Sequence, residues 1–408
     1  MRPEKNGKDV AVASGSDSGA IDVLSDDILE HILGFLPAAE AVRTSVLARR
    51  WRHRWKFATA LNVMCIMESY CYCWPKKPPV EECSKAVDDM LRLRGHTPLE
   101  ACHLTFGSLH NKEDVPCLNR WVRHVVACQV QRFRLENFDY YNGHLMLDDL
   151  SLVSRHLTRL ELIGLELNNE LCDFSSCPAL QHLDIAHCSL WNAKKLSSQS
   201  TKSLSITSCN FITESNTLIH IPSLVSLNLD SHLYLPPVLG SMPSLKKAFV
   251  RVPVDEDCGY DESEWLDCYS CHIMKEEDNK RFLLDGLSNA ENLALLSETT
   301  MFIFEKDLKQ CPTFNNLKTL LLNDHWCVAP NFLALTCILK HSPVLEKLTL
   351  ELNSRGPEHK VELTGVYHPM DGSTTKLEHL KAIEVKCEVI DENVHKVLQF
   401  LCTFNFCK

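Results

Sequence analysis

Four soft ligands crowd one short stretch of the chain: Cys258, then Cys268 and Cys271 with two residues between them, then His272. Thiolates beside an imidazole are zinc ligands, but structural zinc takes two well-spaced ligand pairs, and a single Cys-x-x-Cys is a weak signal. The stretch therefore reads as no metal site, and Cys65, Cys71 and Cys73 are weaker still. A second stretch, Arg49-Arg-Trp-Arg-His-Arg-Trp-Lys56, interleaves cations with tryptophan, as surfaces that stack bases and pair phosphates do. Asp22, Asp26, Asp27 and Glu30 lie in the same small module, and the whole chain sets 42 basic against 53 acidic side chains, a formal net charge of -11. No nucleic-acid partner is expected, because phosphate contact depends on clustered Lys and Arg. Asp255, Glu256, Asp257, Asp261, Glu262, Glu264 and Asp267 form an acidic run. It reads as a solvated loop, with docking of a basic partner as the minor reading. The sequence has no glycine-rich phosphate loop, His-Glu-x-x-His pair or nucleophile elbow, and 19 scattered histidines meet cysteines by chance. No catalytic residue and no cofactor is expected.

What positions these residues is written in the leucines. The chain has 408 residues, 45% of them hydrophobic and 23% charged, more than one compact core of typical size. It contains 60 leucines. Many fall in a hexad of leucine, two variable residues, an apolar residue, one variable residue and another apolar residue. Five copies are strong: Leu157-Leu160-Leu162, Leu180-Leu183-Ile185, Leu224-Leu227-Leu229, Leu317-Leu320-Leu322 and Leu345-Leu348-Leu350. Weaker copies start at Leu99, Val130, Thr201, Leu245, Ala290 and Leu380, and from 157 to 245 the starts lie 23, 21, 23 and 21 residues apart. Hexad and interval are those of leucine-rich repeats. The alternating apolar pair marks a short strand with one buried face, and about 15 further residues return the chain for the next parallel strand. No unit buries its apolar side alone, so stacked units share one long core. The 45 residues between starts 245 and 290 hold either a lost repeat or an insertion.

Residues 1–19 are polar and read as a disordered tail. From residue 20 to about 60 the pattern is helical. Asp22 or Ser25 can cap a helix carrying Ile28, Leu29, Ile32, Leu33 and Leu36, and Pro37 stops it. A second helical stretch carries Val42, Val46 and Leu47, and a third, from about Arg49, places Trp51 and Trp55 on one face. Such a piece needs a partner or a neighbouring domain to be stable. The run Leu24-Ser-Asp-Asp-Ile28 through Pro37, followed by Val46-Leu47-Ala-Arg-Arg-Trp51-Arg-His-Arg-Trp55, resembles an F-box, the module that docks on the Skp-type adaptor of cullin–RING ubiquitin ligases. The resemblance implies adaptor contacts at Leu24, Ser25, Ile28, Leu29, Ile32, Leu36, Pro37, Val46, Leu47, Trp51 and Trp55. Ser25 stands where that family usually has proline, a substitution that implies weaker docking, on the order of 1 kcal/mol or less by the apolar-area rule.

F-box and irregular repeats together resemble the plant F-box/leucine-rich-repeat family, and Leu377-Glu-His-Leu-Lys-Ala-Ile-Glu-Val385 is similar to the opening of its FBD region. The implied fold class is α/β. A three-helix F-box (20–60) and a linking segment (61–98) precede a leucine-rich-repeat solenoid (99–373), with parallel strands on the concave face and helices or loops on the convex face. An acidic insertion occupies about 251–289, and a last repeat with a partial FBD-like region occupies 374–408. The implied function is that of a non-catalytic substrate receptor in a Skp–cullin–F-box ubiquitin ligase, joined through the adaptor to cullin and RING subunits. The expected target-binding residues on the concave face are His182 and Asp184, Ser226, Asn228 and Asp230, and Lys347, Thr349 and Glu351. The alternative is a repeat scaffold without a ligase role. The N-terminus lacks the apolar core of a secretory signal, and no stretch reaches the roughly 18 apolar residues of a membrane helix. The 20 cysteines are thus expected as reduced, core-filling thiols, with the protein in the nucleus or cytoplasm.

Overall fold

The computed structural model describes residues 24–65, 80–107, 115–138, 145–147, 151–211, 216–231, 236–252, 283–297, 302–327, 332–352, 359–364, 379–387 and 389–402. The acidic run and the Cys258–His272 stretch lie outside them.

The N-terminal module begins with α1 (Asp26–Gly34) and α2 (Ala38–Arg43). Asp26 and Asp27 in the first turn of α1 suit the positive end of the helix dipole. Ser25 stands at the N-cap, but its side chain makes no capping bond; its carbonyl accepts from Leu29 N–H at 3.1 Å. Pro37 separates the helices and occupies the N-cap of α2. Where a third helix is expected, the chain makes three 3₁₀ turns, Thr44–Val46, Arg49–Trp51 and Arg54–Phe57. The turn Arg54–Phe57 folds back on α1. Arg50 Nη2 lies 2.8 Å from Asp26 Oδ1, Arg54 Nη1 lies 3.1 Å from Glu30 Oε1, and Arg54 also pairs with Asp26. Two of the interleaved cations of this stretch thus pair with acids of the same module.

Among the described residues thirteen strands form the main sheet. They are β1 (Ala60–Cys65), β2 (Ala101–Phe106), β3 (Arg132–Asn137), β4 (Arg159–Ile163), β5 (His182–Ala186), β6 (Ser203–Thr207) and β7 (Ser226–Asp230). Then come β8 (Lys247–Val252), β9 (Asn292–Ser297), β10 (Thr319–Asn323), β11 (Lys347–Leu352), β12 (His359–Thr364) and β13 (Ala382–Cys387). The strands lie side by side in chain order and parallel, except that β13 pairs with β11 and carries β12 antiparallel on its outer edge. Every hexad falls on a strand of this sheet. The leading residue sits just before the strand and the apolar pair within it, and Leu157, Leu160 and Leu162 are all about fully buried, as are Leu345, Leu348 and Leu350.

Repetition shows most clearly in the backbone just ahead of each strand. Gln181 N–H donates to Thr158 O at 2.8 Å, Lys202 to Gln181 O at 2.8 Å, Val225 to Lys202 O at 2.8 Å and Lys246 to Val225 O at 2.9 Å. The next rung crosses the long interval, with Glu291 N–H on Lys246 O at 2.9 Å, and β8 pairs directly with β9 from Lys247↔Asn292 onward. The two strands are thus neighbours in the sheet although 45 residues separate the starts of their hexads.

Past the strands, small polar or thiol side chains tie each unit to the last. Cys188 Sγ lies 3.5 Å from Leu162 O, Cys209 Sγ 3.6 Å from Ile185 O and Ser231 Oγ 3.4 Å from Ile206 O. Asn137 Nδ2 donates to Gly164 O at 3.1 Å, and Asn323 Oδ1 accepts Ser297 N–H at 3.1 Å. Asn168 serves elsewhere, with its Nδ2 on Leu147 O at 3.2 Å. Most described cysteines are free and buried, and burial raises thiols such as Cys102, Cys172 and Cys209 well above the ordinary range. Cys402 is the exception to the expected thiols, being disulfide-bonded.

The return paths are mixed. Helices α3 (Val80–Arg94), α4 (Val115–Ala127), α5 (Leu284–Leu287), α6 (Phe302–Leu308), α7 (Leu333–Lys340) and α8 (Glu392–Cys402) serve the two ends of the sheet. The central returns instead carry short parallel strands in two three-stranded sheets, one containing Leu165–Asn168 and the other Leu218–His220. Among the described residues no helix is long and apolar enough to cross a membrane.

Candidate docking surfaces

The N-terminal module has two apolar faces and one body to bury them in. Leu29 and Leu33, four apart on α1, share the inner face and are 0% and 1% exposed. Leu33 packs with Ala41, Trp55 and Ala58, and Met90 of α3 leans on the same cluster. Ile28 and Ile32 share the outer face at 47% and 39% exposure, and Phe35 (72%), Val46 (87%) and Leu47 (70%) are exposed as well. Large apolar groups held so far into water are of the kind that marks a protein interface. Of the residues named from the sequence, Ser25, Ile28, Ile32, Val46 and Leu47 are exposed, and Leu24, Leu36, Pro37 and Trp51 are half-buried. Leu29 and Trp55 are corrections. Both are core, because helical spacing turns Leu29 inward with Leu33 and because Trp55 fills the space between α1 and α2. Phe35, Val42 and Phe57 are exposed apolar residues that are not among the expected adaptor contacts.

The module is bolted to the sheet. The end of α1 meets the start of β1 so closely that a Cβ on Gly34 would lie 3.0 Å from Ala60 N. Pro37 bridges to Asn62 of β1. From α3, buried Arg94 donates Nη1–H to Trp55 O at 3.2 Å, and Nη2–H to Ala58 O and, at 3.5 Å, to Pro98 O. The outer patch therefore stands at a fixed place relative to the first strands.

The free face of the sheet is set by the residues that alternate with the buried ones. Across β2 to β5 it is an ionic ladder. His103 Nε2 lies 3.0 Å from Glu136 Oε2, Arg134 reaches Glu136 and Glu161 at 3.0 Å each, and Arg159 reaches Glu161 at 2.8 Å and Asp184 at 2.9 Å. Hydrogen bonding from His103 and then Arg134 holds the Glu136 carboxyl below the ordinary range, whereas burial raises Asp184 despite Arg159. Across β6 and β7 the face turns small and polar, with Asn228 Nδ2 donating to Ser205 Oγ at 3.0 Å. It then becomes apolar over β8 to β10, where Phe249, Ala294 and Leu321 stand in register and Leu296 lies beside them, all half-buried. Beyond that, Lys347 pairs with Glu384 at 2.7 Å and Glu351 with Lys386 at 2.8 Å.

His182 and Lys347 are exposed on this face, and Asp184, Ser226, Asn228, Asp230 and Glu351 are half-buried. Thr349 is a correction. It is 8% exposed, closed over by Leu321 and Glu384 on either side in register. The charged residues are spent largely on one another, and the apolar strip of Phe249, Ala294 and Leu321 was missed. Its sequence signal is an apolar residue between the two apolar positions of a hexad, in three successive repeats.

A match to the F-box domain family covers residues 21–57, the segment whose outer face is the apolar patch. The chain is also similar over most of its length to F-box/LRR-repeat proteins of Arabidopsis thaliana. One is 26% identical over 369 residues, 80% of this chain and 54% of the relative. Another is 26% identical over 393 residues, 86% of this chain and 97% of the relative. The chain carries an F-box and is similar over most of its length to F-box/LRR-repeat proteins. An F-box/FBD/LRR-repeat protein of the same plant is 23% identical over 353 residues, 77% of this chain and 74% of its own length. The chain thus spans about half the length of one of these relatives and nearly all of another. At the level of the domain family an F-box binds a Skp-type adaptor, and the relatives' names fit an adaptor role in substrate recognition.

Proposed function

We propose that this F-box/leucine-rich-repeat protein is the substrate receptor of a Skp–cullin–F-box ubiquitin ligase. The F-box docks on the adaptor, which connects it to cullin and RING subunits, and the free face of the sheet holds the protein to be modified. The observation that carries this reading is the outer side of the F-box, where Ile28, Ile32, Phe35, Val46 and Leu47 stay exposed although Leu29 and Leu33 of α1 are fully buried. The receptor supplies no bond chemistry. It raises the local concentration of target lysines near the ubiquitin-loaded enzyme, the effect of proximity. A fixed F-box suits that role, because the distance from adaptor to target is then set by the protein. The free face supports a protein target: its charges are paired internally, and the unpaired chemistry lies in the serine-rich centre and in the strip of Phe249, Ala294, Leu296 and Leu321. We place the protein in the nucleus or cytoplasm.

The test is co-expression with a Skp-type adaptor. Wild type and Ser25→Pro are both expected to retain it, the latter more tightly. Failure of both to bind would leave a repeat scaffold without a ligase role.

A further inference from the structure

Two clusters among the described residues bring three soft ligand atoms within 4.8 Å of one another: His96, His124 and Cys128, and Cys311, Cys337 and His341. Their surroundings separate them. In the first, His124 Nε2 and Cys128 Sγ both lie against Gly95 O, at 2.9 and 3.6 Å. The buried Arg94 guanidinium acts on both groups. A cation there would meet a fixed positive charge.

The second cluster has the opposite field. The carboxylates of Asp307 and Asp285 act on Cys311, whose thiol donates to Pro312 O at 3.6 Å. Asp307 is itself immobilised, its Oδ2 accepting Leu283 and Leu284 N–H at 2.8 Å each. Cys337 lies in α7, with Sγ 3.6 Å from Leu308 O at the end of α6. His341 caps α7, and its Nδ1 lies 2.8 Å from Cys337 O. A carbonyl only accepts, so Nδ1 carries the proton and Nε2 the lone pair. That is the arrangement in which a metal-bound histidine donates its second ring nitrogen to a backbone carbonyl. All three residues are half-buried, so an ion can enter and water can complete its shell.

We propose that Cys311, Cys337 and His341 form a zinc-class metal site. Two thiolates and His341 Nε2 bind a divalent ion, water takes the fourth position, and the two thiol protons leave to solvent on binding. A tetrahedral ion with Zn–S of about 2.3 Å and Zn–N of about 2.0 Å sets its ligand atoms about 3.5 to 3.8 Å apart, so the cluster closes by about an ångström. The ion would staple α6 to α7, the returns on either side of β10, and so join two successive repeats. The site does not depend on the ligase reading.

The test uses the purified full chain, stripped with chelator and titrated with Co²⁺. The expected result is a thiolate-to-cobalt charge-transfer band with the strong visible bands of a tetrahedral site, displaced by Zn²⁺. These bands should disappear in Cys337→Ser and His341→Gln and persist in Cys128→Ser and Cys268→Ser, with circular dichroism reporting the fold of each. In wild type, Zn²⁺ should slow alkylation of Cys311 and Cys337 while leaving Cys117 unchanged, a readout that needs no variant. No cobalt–thiolate band, a band lost only in Cys268→Ser, or a Cys311–Cys337 disulfide in chain trapped at lysis would each overturn the site.

Discussion

Arg94→Met tests whether the F-box is a fixed attachment. Arg94 is 4% exposed at the end of α3, and its guanidinium holds the carbonyls of Trp55 and Ala58, on the F-box side, together with Pro98 at the entry to β2. A hydrogen bond from a charged donor contributes about 1.5 kcal/mol or more, and a stranded buried carbonyl adds a cost of its own. Against that stands the desolvation of the cation, which lowers its pKa, and Nε, which has no partner. Methionine keeps the stem and removes both effects. The balance is a loss of about 2 to 3 kcal/mol, or about 30- to 150-fold in a local opening constant at 1.36 kcal/mol per tenfold. Hydrogen exchange should show that rise in the amides of α1 and β1, while amides of β6 to β8 keep their wild-type rates. If α1 and β1 exchange as slowly as before, Arg94 is no bolt. If every strand accelerates equally, the residue supports the whole fold and not the junction.

Other expectations are more local. Gly286→Ala should lower the melting temperature, since its Cβ would run into Leu239 Cβ and lie 2.9 Å from Gly240 O, an overpacking cost of about 1 to 3 kcal/mol; an unchanged melting temperature contradicts the close approach of α5. Glu136 has a depressed folded pKa, so its stabilisation is complete above the ordinary glutamate value of about 4.3 and is lost as pH falls through the lower folded value. Glu136→Gln should therefore flatten acid unfolding in that window, by under about 1 kcal/mol because the ladder is partly exposed and screened, and an unaltered acid limb refutes it. Native-state alkylation should spare Cys102, Cys172 and Cys209, which burial keeps protonated; rapid labelling of Cys209 would contradict the packed ladder.

The repeat architecture was legible because a parallel strand that shares one core must repeat its leucines in register, and all the hexads mark strands. β1 was missed although Ala58, Leu61 and Val63 fit the hexad as well as the weak copy that starts at Ala290. The short strands of the central returns escaped because pieces of two to four residues show no period. Sequence placed the F-box but did not sort its faces: Leu29 and Trp55 satisfy the motif and are core, while Phe35 is the more exposed side chain. Thr349 follows the strand alternation, yet its neighbours cover it. The Cys311–Cys337–His341 cluster was invisible for a different reason, since 26 residues separate its cysteines and only the stacking of α6 on α7 unites them.

The central claim is that the exposed apolar face of the F-box is an adaptor-docking surface on a correctly folded receptor. The direct measurement is the affinity of purified wild type and of Val46→Asp/Leu47→Asp for a Skp-type adaptor by calorimetry. Both side chains are at least 70% exposed, so the double variant should keep the wild-type melting temperature. It should lose about tenfold or more in affinity, since two large aliphatic contacts of about 1 kcal/mol or more each are replaced by charge. Equal affinity of the two proteins, or no binding by wild type, would contradict the account.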